Sequence, residues 1–214
     1  MLRSLFLLSF LLGVAFAANS ANQYVDNVLQ TTLGRELVSN GLIPARLTDF
    51  KAYFGPSGIY QNQGEADFSF GNATGLDRIR RKGDCSGPRT FRGEISINCT
   101  LSLYPIVTAY KTIIRNGSNI YIVRNQGHVA ETLISLEIVG RPQNYIGSVK
   151  RFNVDRLGLI TPTFSQLPSQ LNKYVKVLQD VYKANVSSEL FNILQQRYVS
   201  AVGRAFAGKP MPRQ

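Results

Sequence analysis

Hydrophobic positions recur along this chain with two different periods. Over residues 20–41, SANQYVDNVLQTTLGRELVSNG, the residues Tyr24, Val25, Val28, Leu29, Leu33 and Leu37 fall at helical spacing, and Asn40-Gly41 closes the run. The pattern predicts one amphipathic helix with a single apolar stripe. From about 50 to 160 the period drops to two. In EISINCTLSLY, residues 94–104, Ile95, Ile97, Cys99, Leu101 and Leu103 face one way, while Ser96, Asn98, Thr100 and Ser102 face the other. That alternation predicts a strand with one apolar and one wet face. PIVTAYKTIIRNGSNIYIVR follows, with Asn116-Gly117 between two β-branched runs, a strong hairpin signal. ETLISLEIVG and YIGSVKRFNV predict two more strands joined at Arg141-Pro142-Gln143-Asn144, and EADFSF predicts an earlier one. Strands that succeed one another without helices between them predict an antiparallel meander.

Helical spacing returns after about residue 165. SQLPSQLNKYVKVLQDVYKA sets Leu171, Tyr174, Val175, Leu178 and Val181 on one face. VSSELFNILQQRYVSAVGRAF continues with Leu190, Phe191, Leu194, Tyr198, Val202 and Phe206. Asn185 either interrupts this run, with a second helix starting near Ser187, or lies within one long helix. The last residues, 209–214, are expected to form a disordered tail. No internal repeat or long linker divides the chain.

The amino terminus changes the picture of where the protein acts. Arg3 precedes a short apolar run from Leu5 to Val14, and Ala15-Phe16-Ala17 fits a small-x-small cleavage site. Residues 1–17 are therefore expected to be a signal peptide, and 18–208 one secreted, extracellular domain. No later stretch approaches the ~20 apolar residues of a transmembrane helix. In an oxidising compartment Cys85 and Cys99 are expected to pair. They stand equidistant from a hairpin tip near Arg92, and a loop of this length contributes ~3 kcal/mol when closed. Four sequons, at Asn72, Asn98, Asn116 and Asn185, are candidate glycosylation sites.

Charge and candidate chemistry narrow the function classes. The chain carries 24 Lys and Arg against 13 Asp and Glu, a net charge of +11. Much of the excess lies in RIRRKGDCSGPRTFR, where Arg78, Arg80, Arg81, Lys82, Arg89 and Arg92 form a basic run. One reading is a solvated hairpin face; another is a docking patch for anionic membranes. Nucleic acid is not an expected partner, since no binding motif accompanies the charge. KGDCSGPRT also approaches the GDSGGP loop of chymotrypsin-like proteases. The nucleophile position here is Cys85, and the single histidine, His128, lies downstream in what the sequence predicts to be a turn. One His and two disulfide-prone Cys do not make a four-ligand zinc site, so neither metal nor cofactor is expected.

The helix, the segment GLIPARLTDFKAYF, the meander and the long final helix, in that order, resemble the group 7 mite allergens. Those proteins stand with the bactericidal/permeability-increasing, lipid-transfer and juvenile-hormone-binding proteins in the tubular lipid-binding superfamily. TGLDRIRRKGDC, EISINCTLSLY, ETLISLEIV and VLQDVYKANVSSELFNILQQRYVSAVGRAF carry the resemblance over nearly all of 18–208. It implies an α+β fold: one elongated module, a strongly curved antiparallel sheet rolled around the long carboxy-terminal helix, with an amino-terminal helix beside it. It implies a monomeric, non-catalytic binder of an apolar small molecule or lipid, including a microbial amphiphile. The lining would come from Ile95, Ile97, Leu101, Leu103, Leu136 and Ile138 on the sheet, and Val175, Leu178, Leu190, Leu194 and Val202 on the helix. Cys85 and Cys99 depart from the cysteine positions of the hormone carriers, which argues against transferring that ligand. The competing reading is a secreted interaction protein with a filled core, acting through its basic surface on anionic membranes or host partners.

Overall fold

The computed structural model describes residues 19–55, 64–91, 93–141 and 143–213. Residues 1–17, assigned above to a signal peptide, lie outside the described residues, as does Arg92 of the basic run. An amino-terminal helix, α1, covers 19–39 and a carboxy-terminal helix, α2, runs from Val175 to Phe206 after a 3₁₀ turn at Ser169–Tyr174. Between them, among the described residues, lie eleven strands: β1 (Ala45–Arg46), β2 (Phe50–Phe54), β3 (Gly64–Thr74), β4 (Ile79–Arg81), β5 (Arg89–Phe91), β6 (Glu94–Leu103), β7 (Ile106–Asn116), β8 (Asn119–Val129), β9 (Thr132–Gly140), β10 (Ser148–Arg156) and β11 (Ile160–Ser165).

The strands form two antiparallel sheets, and neither closes on itself. The six-stranded sheet has the order β1-β3-β7-β8-β11, with β2 also on β3. The five-stranded sheet has the order β10-β9-β6-β4, with β5 also on β6. The two orders correspond. β3 leads into β4, β6 into β7, β8 into β9 and β10 into β11, so four long strands each cross from one sheet to the other through a common waist. The curvature expected of a single rolled sheet is concentrated there.

Close backbone approaches make the waist possible. A Cβ on Gly158 would stand 1.8 Å from the Ala130 carbonyl oxygen, and one on Gly75 would stand 2.1 Å from that of Pro105. Gly75 also has φ +87°, which L side chains disfavour. The Gly158 amide donates to the buried Thr132 hydroxyl (3.0 Å), and the Ala130 amide to the Leu159 carbonyl (2.8 Å).

Alternation along the strands places the core. On β6, Ile95, Ile97, Cys99, Leu101 and Leu103 are all buried, as the sequence predicts. Ser102, on the other face, is also buried because its hydroxyl donates to Glu131 (2.7 Å). The β7–β8 hairpin forms where expected. Its loop is Gly117-Ser118, one residue beyond the predicted centre, because Asn116 pairs with Asn119 and Gly117 takes φ +61°.

Both helices carry apolar residues at strict four-residue intervals. These are Ala21, Val25, Leu29, Leu33 and Leu37 in α1, and Leu178, Tyr182, Val186, Leu190, Leu194, Tyr198, Val202 and Phe206 in α2, all buried. On a regular α-helix, four residues overshoot one turn by about 40°, so such a stripe would wind off the core. Each helix contains one π-helical stretch, Leu29–Leu33 and Leu194–Tyr198, and the wider turn takes up the excess. The long helix runs through Asn185 without a break. Val181 is only half-buried and Phe191 is exposed, so Tyr182 and Val186 hold the core positions instead.

α1 packs antiparallel on the last part of α2. Tyr24 meets Phe206 at 5.8 Å between ring centroids, Glu36 accepts from Arg204 (2.9 Å), and Arg197 donates to the Gly41 carbonyl (2.9 Å). The expected disordered tail is instead tied down through residue 213. The Met211 amide donates to the Tyr145 carbonyl (2.6 Å), Met211 is buried, and Arg213 stacks on the Tyr145 ring.

The waist geometry makes a direct prediction. Gly158→Ala forces backbone apart at a crossing and should cost about 1–3 kcal/mol. Gly203→Ala, on α2 with no atom within 4 Å of the new Cβ, should gain about 0.5–1 kcal/mol. Urea midpoints of the two variants against the parent measure both, and equal midpoints would refute the waist constraint.

Candidate functional site

The interior between the sheets and α2 has two chemically different halves. Against the five-stranded sheet the lining is aliphatic. Ile97 pairs with Ile138, Cys99 with Leu136 and Leu101 with Ile134, all buried and all on one face. The Leu194–Phe206 part of α2 packs there, on β10. The sheet residues Ile95, Ile97, Leu101, Leu103, Leu136 and Ile138 thus share one half with the helix part that carries Leu194 and Val202. The Val175–Ile193 part packs on β2 and β11 of the other sheet. Val175, half-buried, and Leu178, buried, therefore belong to a stretch of α2 that packs on the opposite sheet from the predicted strand residues.

Under that stretch the lining is aromatic and partly polar. Tyr182 stands over Phe68, Tyr110, Phe50 and Phe164 at 5.8–6.5 Å between ring centroids. Phe50 and Phe68 stack at 4.4 Å. The Tyr182 hydroxyl lies 2.8 Å from that of Thr108, and the Tyr110 hydroxyl donates to the Thr48 carbonyl (3.0 Å). Burial pushes Tyr182 up to about 12, weakly opposed by the Thr108 hydrogen bond, and raises Tyr110 as well. This interior disfavours charge.

Two donors in this half have no partner among the described residues. Thr112, on β7, and Asn125, on β8, are both buried and point to the inner face. The Asn125 side-chain oxygen accepts the Tyr110 amide (3.0 Å), while its Nδ2 and the Thr112 hydroxyl are unpaired. Most buried polar atoms in native proteins are hydrogen-bonded, so two orphans on adjacent strands mark this floor. No sequence motif marks them. The phase of β7 was the available signal: Lys111 and Arg115 fix its wet face, which turns Thr108, Tyr110, Thr112 and Ile114 inward.

The basic run does not form one patch. Residues 79–91 lie along one edge of β6 as a single interrupted strand. Arg80 pairs with Ser102 and Arg89 with Ser96, six residues apart on β6 and so roughly 20 Å from each other. Arg81 turns inward, 19 % exposed, and clasps Asp26 of α1 with bonds of 3.2 and 2.9 Å. Lys82 pairs with Glu131 and holds that carboxyl below its usual range. Arg78, Arg80 and Arg89 are exposed and form no ion pair with a described residue.

KGDCSGPRT is the bulged middle of this edge strand. The Lys82 amide bonds Thr100 and the Ser86 amide bonds Asn98 (both 2.8 Å), leaving Gly83-Asp84-Cys85 looped out between them. The Cys85–Cys99 disulfide pins the bulge. Asn22 of α1 covers it, accepting the Cys85 amide and donating to Asp84 (both 2.8 Å). The Ser86 hydroxyl accepts the Asn98 amide (2.9 Å). His128 lies within β8 rather than in a turn, exposed and paired with Val107 and Thr161. The protease-like string and the histidine therefore belong to different sheets.

No family model matches the sequence, and no curated protein matches it either. Solved structures are similar to it, among them the following two. One is a lipopolysaccharide binding protein, 16 % identical over 87 % of this chain and 41 % of that one, with a TM-score of 0.48. The other is Takeout 1 of Epiphyas postvittana, 14 % identical over 87 % of this chain and 92 % of that one, with a TM-score of 0.39. This chain spans about two fifths of the lipopolysaccharide binding protein's length.

Arg81 and Arg80 offer a clean contrast. Arg81→Gln leaves Asp26 unpaired and should cost about 1 kcal/mol. Arg80→Gln, on the wet face, should stay within about 0.5 kcal/mol of the parent. Denaturant unfolding of the two variants measures the difference, and equal losses would remove the α1 latch.

Proposed function

We propose that this is a secreted, non-catalytic binding protein for an apolar or lipid-like ligand held between the six-stranded sheet and the first half of α2. The observation that carries the reading is the pair of unpartnered buried donors, Thr112 Oγ1 and Asn125 Nδ2, beneath the ring cluster of Tyr182, Phe68, Tyr110 and Phe164. Aromatic walls with a few convergent polar groups are the usual composition of a small-molecule site. Both orphans are donors, so they suit a ligand that brings an acceptor. The raised tyrosines support a neutral acceptor, such as an ester, ketone or alcohol oxygen, over an ionised one, because an uncompensated charge is costly in such an interior. The aliphatic half would then act as scaffold or receive a hydrocarbon tail.

Native mass spectrometry of secreted material, before and after organic extraction, tests for a co-purifying apolar ligand directly. Stripped protein should take up the methyl ester of a fluorescent fatty-acid analogue more tightly than the free acid. Thr112→Val removes one donor at constant shape and should weaken ester uptake by about 5–10-fold, the loss expected for one neutral hydrogen bond, without lowering stability. Leu178→Trp should block uptake while melting near the parent, whereas Leu194→Trp, in the aliphatic half, should meet the ~1–3 kcal/mol penalty of an overpacked core. Stripped parent protein that binds no apolar probe at micromolar concentration ends this reading.

A further inference from the structure

The outer face of the six-stranded sheet carries a feature that the interior site does not use. Between Ser69 and Asn72 the register of β3 slips: three steps of β3 stand against two of β7, from Lys111 to Ala109. Gly71 takes the inward place, where a Cβ would stand 2.3 Å from the Tyr110 ring. Phe70 is thrown outward, with φ +56° and its side chain 73 % exposed. A bulky aromatic residue with positive φ is a real outlier, and bulges are a known way to re-aim one side chain. Phe70 lines a surface cleft of about 460 Å³ together with Asn72, Lys111, Ile122, Arg124 and Gln126. Asn72 opens the sequon Asn72-Ala73-Thr74.

We propose that Asn72 carries an N-linked glycan whose first sugar stacks on Phe70 and occupies this cleft. The proposal rests on the secretory part of the function given above. Transfer replaces one bond by another. The Asn72 amide nitrogen attacks C1 of the first N-acetylglucosamine of a lipid-linked oligosaccharide; the C1–N bond forms, the C1–O bond to the polyprenyl pyrophosphate breaks, and the amide loses one proton. The strand places Phe70 two residues before Asn72 and turns both to the same cleft. The C–H face of a pyranose is apolar and suits an aromatic ring, while its hydroxyls meet Lys111, Arg124 and Gln126 at the walls. Among the four sequons only this one has an aromatic residue two positions before the asparagine; Ser96, Ile114 and Lys183 precede the others. The glycan gives a reason for a strained, exposed ring on this sheet face.

The test uses full-length chain secreted from eukaryotic cells, and in parallel residues 18–214 behind an appended secretory leader. Material from the appended leader tests the glycan whether or not the native leader works, so the two readings fail separately. Glycopeptide mass spectrometry should find Asn72 occupied. Phe70→Ala removes the ring but keeps a Cβ at the same φ. It should lower the melting temperature of the glycosylated protein by about 2–4 °C, the scale of one lost stacking contact in a chain of this size. It should change nothing in an Asn72→Gln background, nor in a Thr74→Val background, which removes the sequon without touching the asparagine. An unoccupied Asn72, or a Phe70→Ala shift of equal size with and without the sugar, overturns the proposal.

Discussion

Four strands cross from one sheet to the other at a single waist, and the backbone there leaves no room for side chains at Gly75 and Gly158. The rest of the structure follows from that constraint. Strand order must be the same on both sides, since no strand changes neighbours while crossing. Polar backbone groups exposed by the bend need partners, and they find them locally: Gly158 on Thr132, Ala130 on Leu159, and the Leu76 carbonyl on the buried Tyr198 hydroxyl at 2.9 Å. Pro105 crosses without an amide hydrogen to satisfy. The Tyr198 bond ties α2 to the waist at the π turn where the helix passes from one sheet to the other.

A helix that serves two differently oriented sheets cannot keep a plain 3.6-residue stripe. The four-residue interval from Leu178 to Phe206 lets the buried face wind as the helix changes partner, and the π turn sets how far. This division also separates the two chemistries of the interior. The aromatic residues gather where Tyr182 meets the six-stranded sheet, and the aliphatic residues gather where Val202 and Phe206 meet the five-stranded one. A ligand that needs a hydrogen-bonding group has that need met in only one of these halves.

Much of the fold was legible because alternation is local. EISINCTLSLY, the Asn116-Gly117 signal and the Cys85–Cys99 pairing all depend on residues close in sequence, and each formed as read. The candidate site was less legible. The apolar strand residues Ile95 to Leu103 and Leu136 to Ile138 are buried as expected, but sequence periodicity cannot say which half of α2 faces them. A 3.6-residue repeat selects Val181, whereas the buried four-residue interval selects Tyr182. Thr112 and Asn125 do not stand out in the sequence, because polar residues on an inner face look like ordinary wet-face residues until the strand's phase is fixed. The basic run misled for a related reason. Neighbouring cations in sequence point to opposite sides of a strand, so Arg80 reaches solvent while Arg81 reaches Asp26.

Two breaks in alternation are instructive together. The bulge at Gly83-Asp84-Cys85 interrupts the edge strand, and the groups it frees are taken by Asn22 and by the disulfide, so that break is closed by the protein itself. The bulge at Phe70-Gly71 lies inside a sheet whose backbone pairing resumes at once, and the freed group is a ring turned to solvent. A strained backbone persists only where its surroundings hold it, and here the inward Gly71 against Tyr110 supplies the holding. The first bulge explains why a protease-like string can be wholly structural. The second exposes a ring for which the described residues offer no ring or hydrogen-bonding partner, so a group attached to, or resting on, the outer face would account for it.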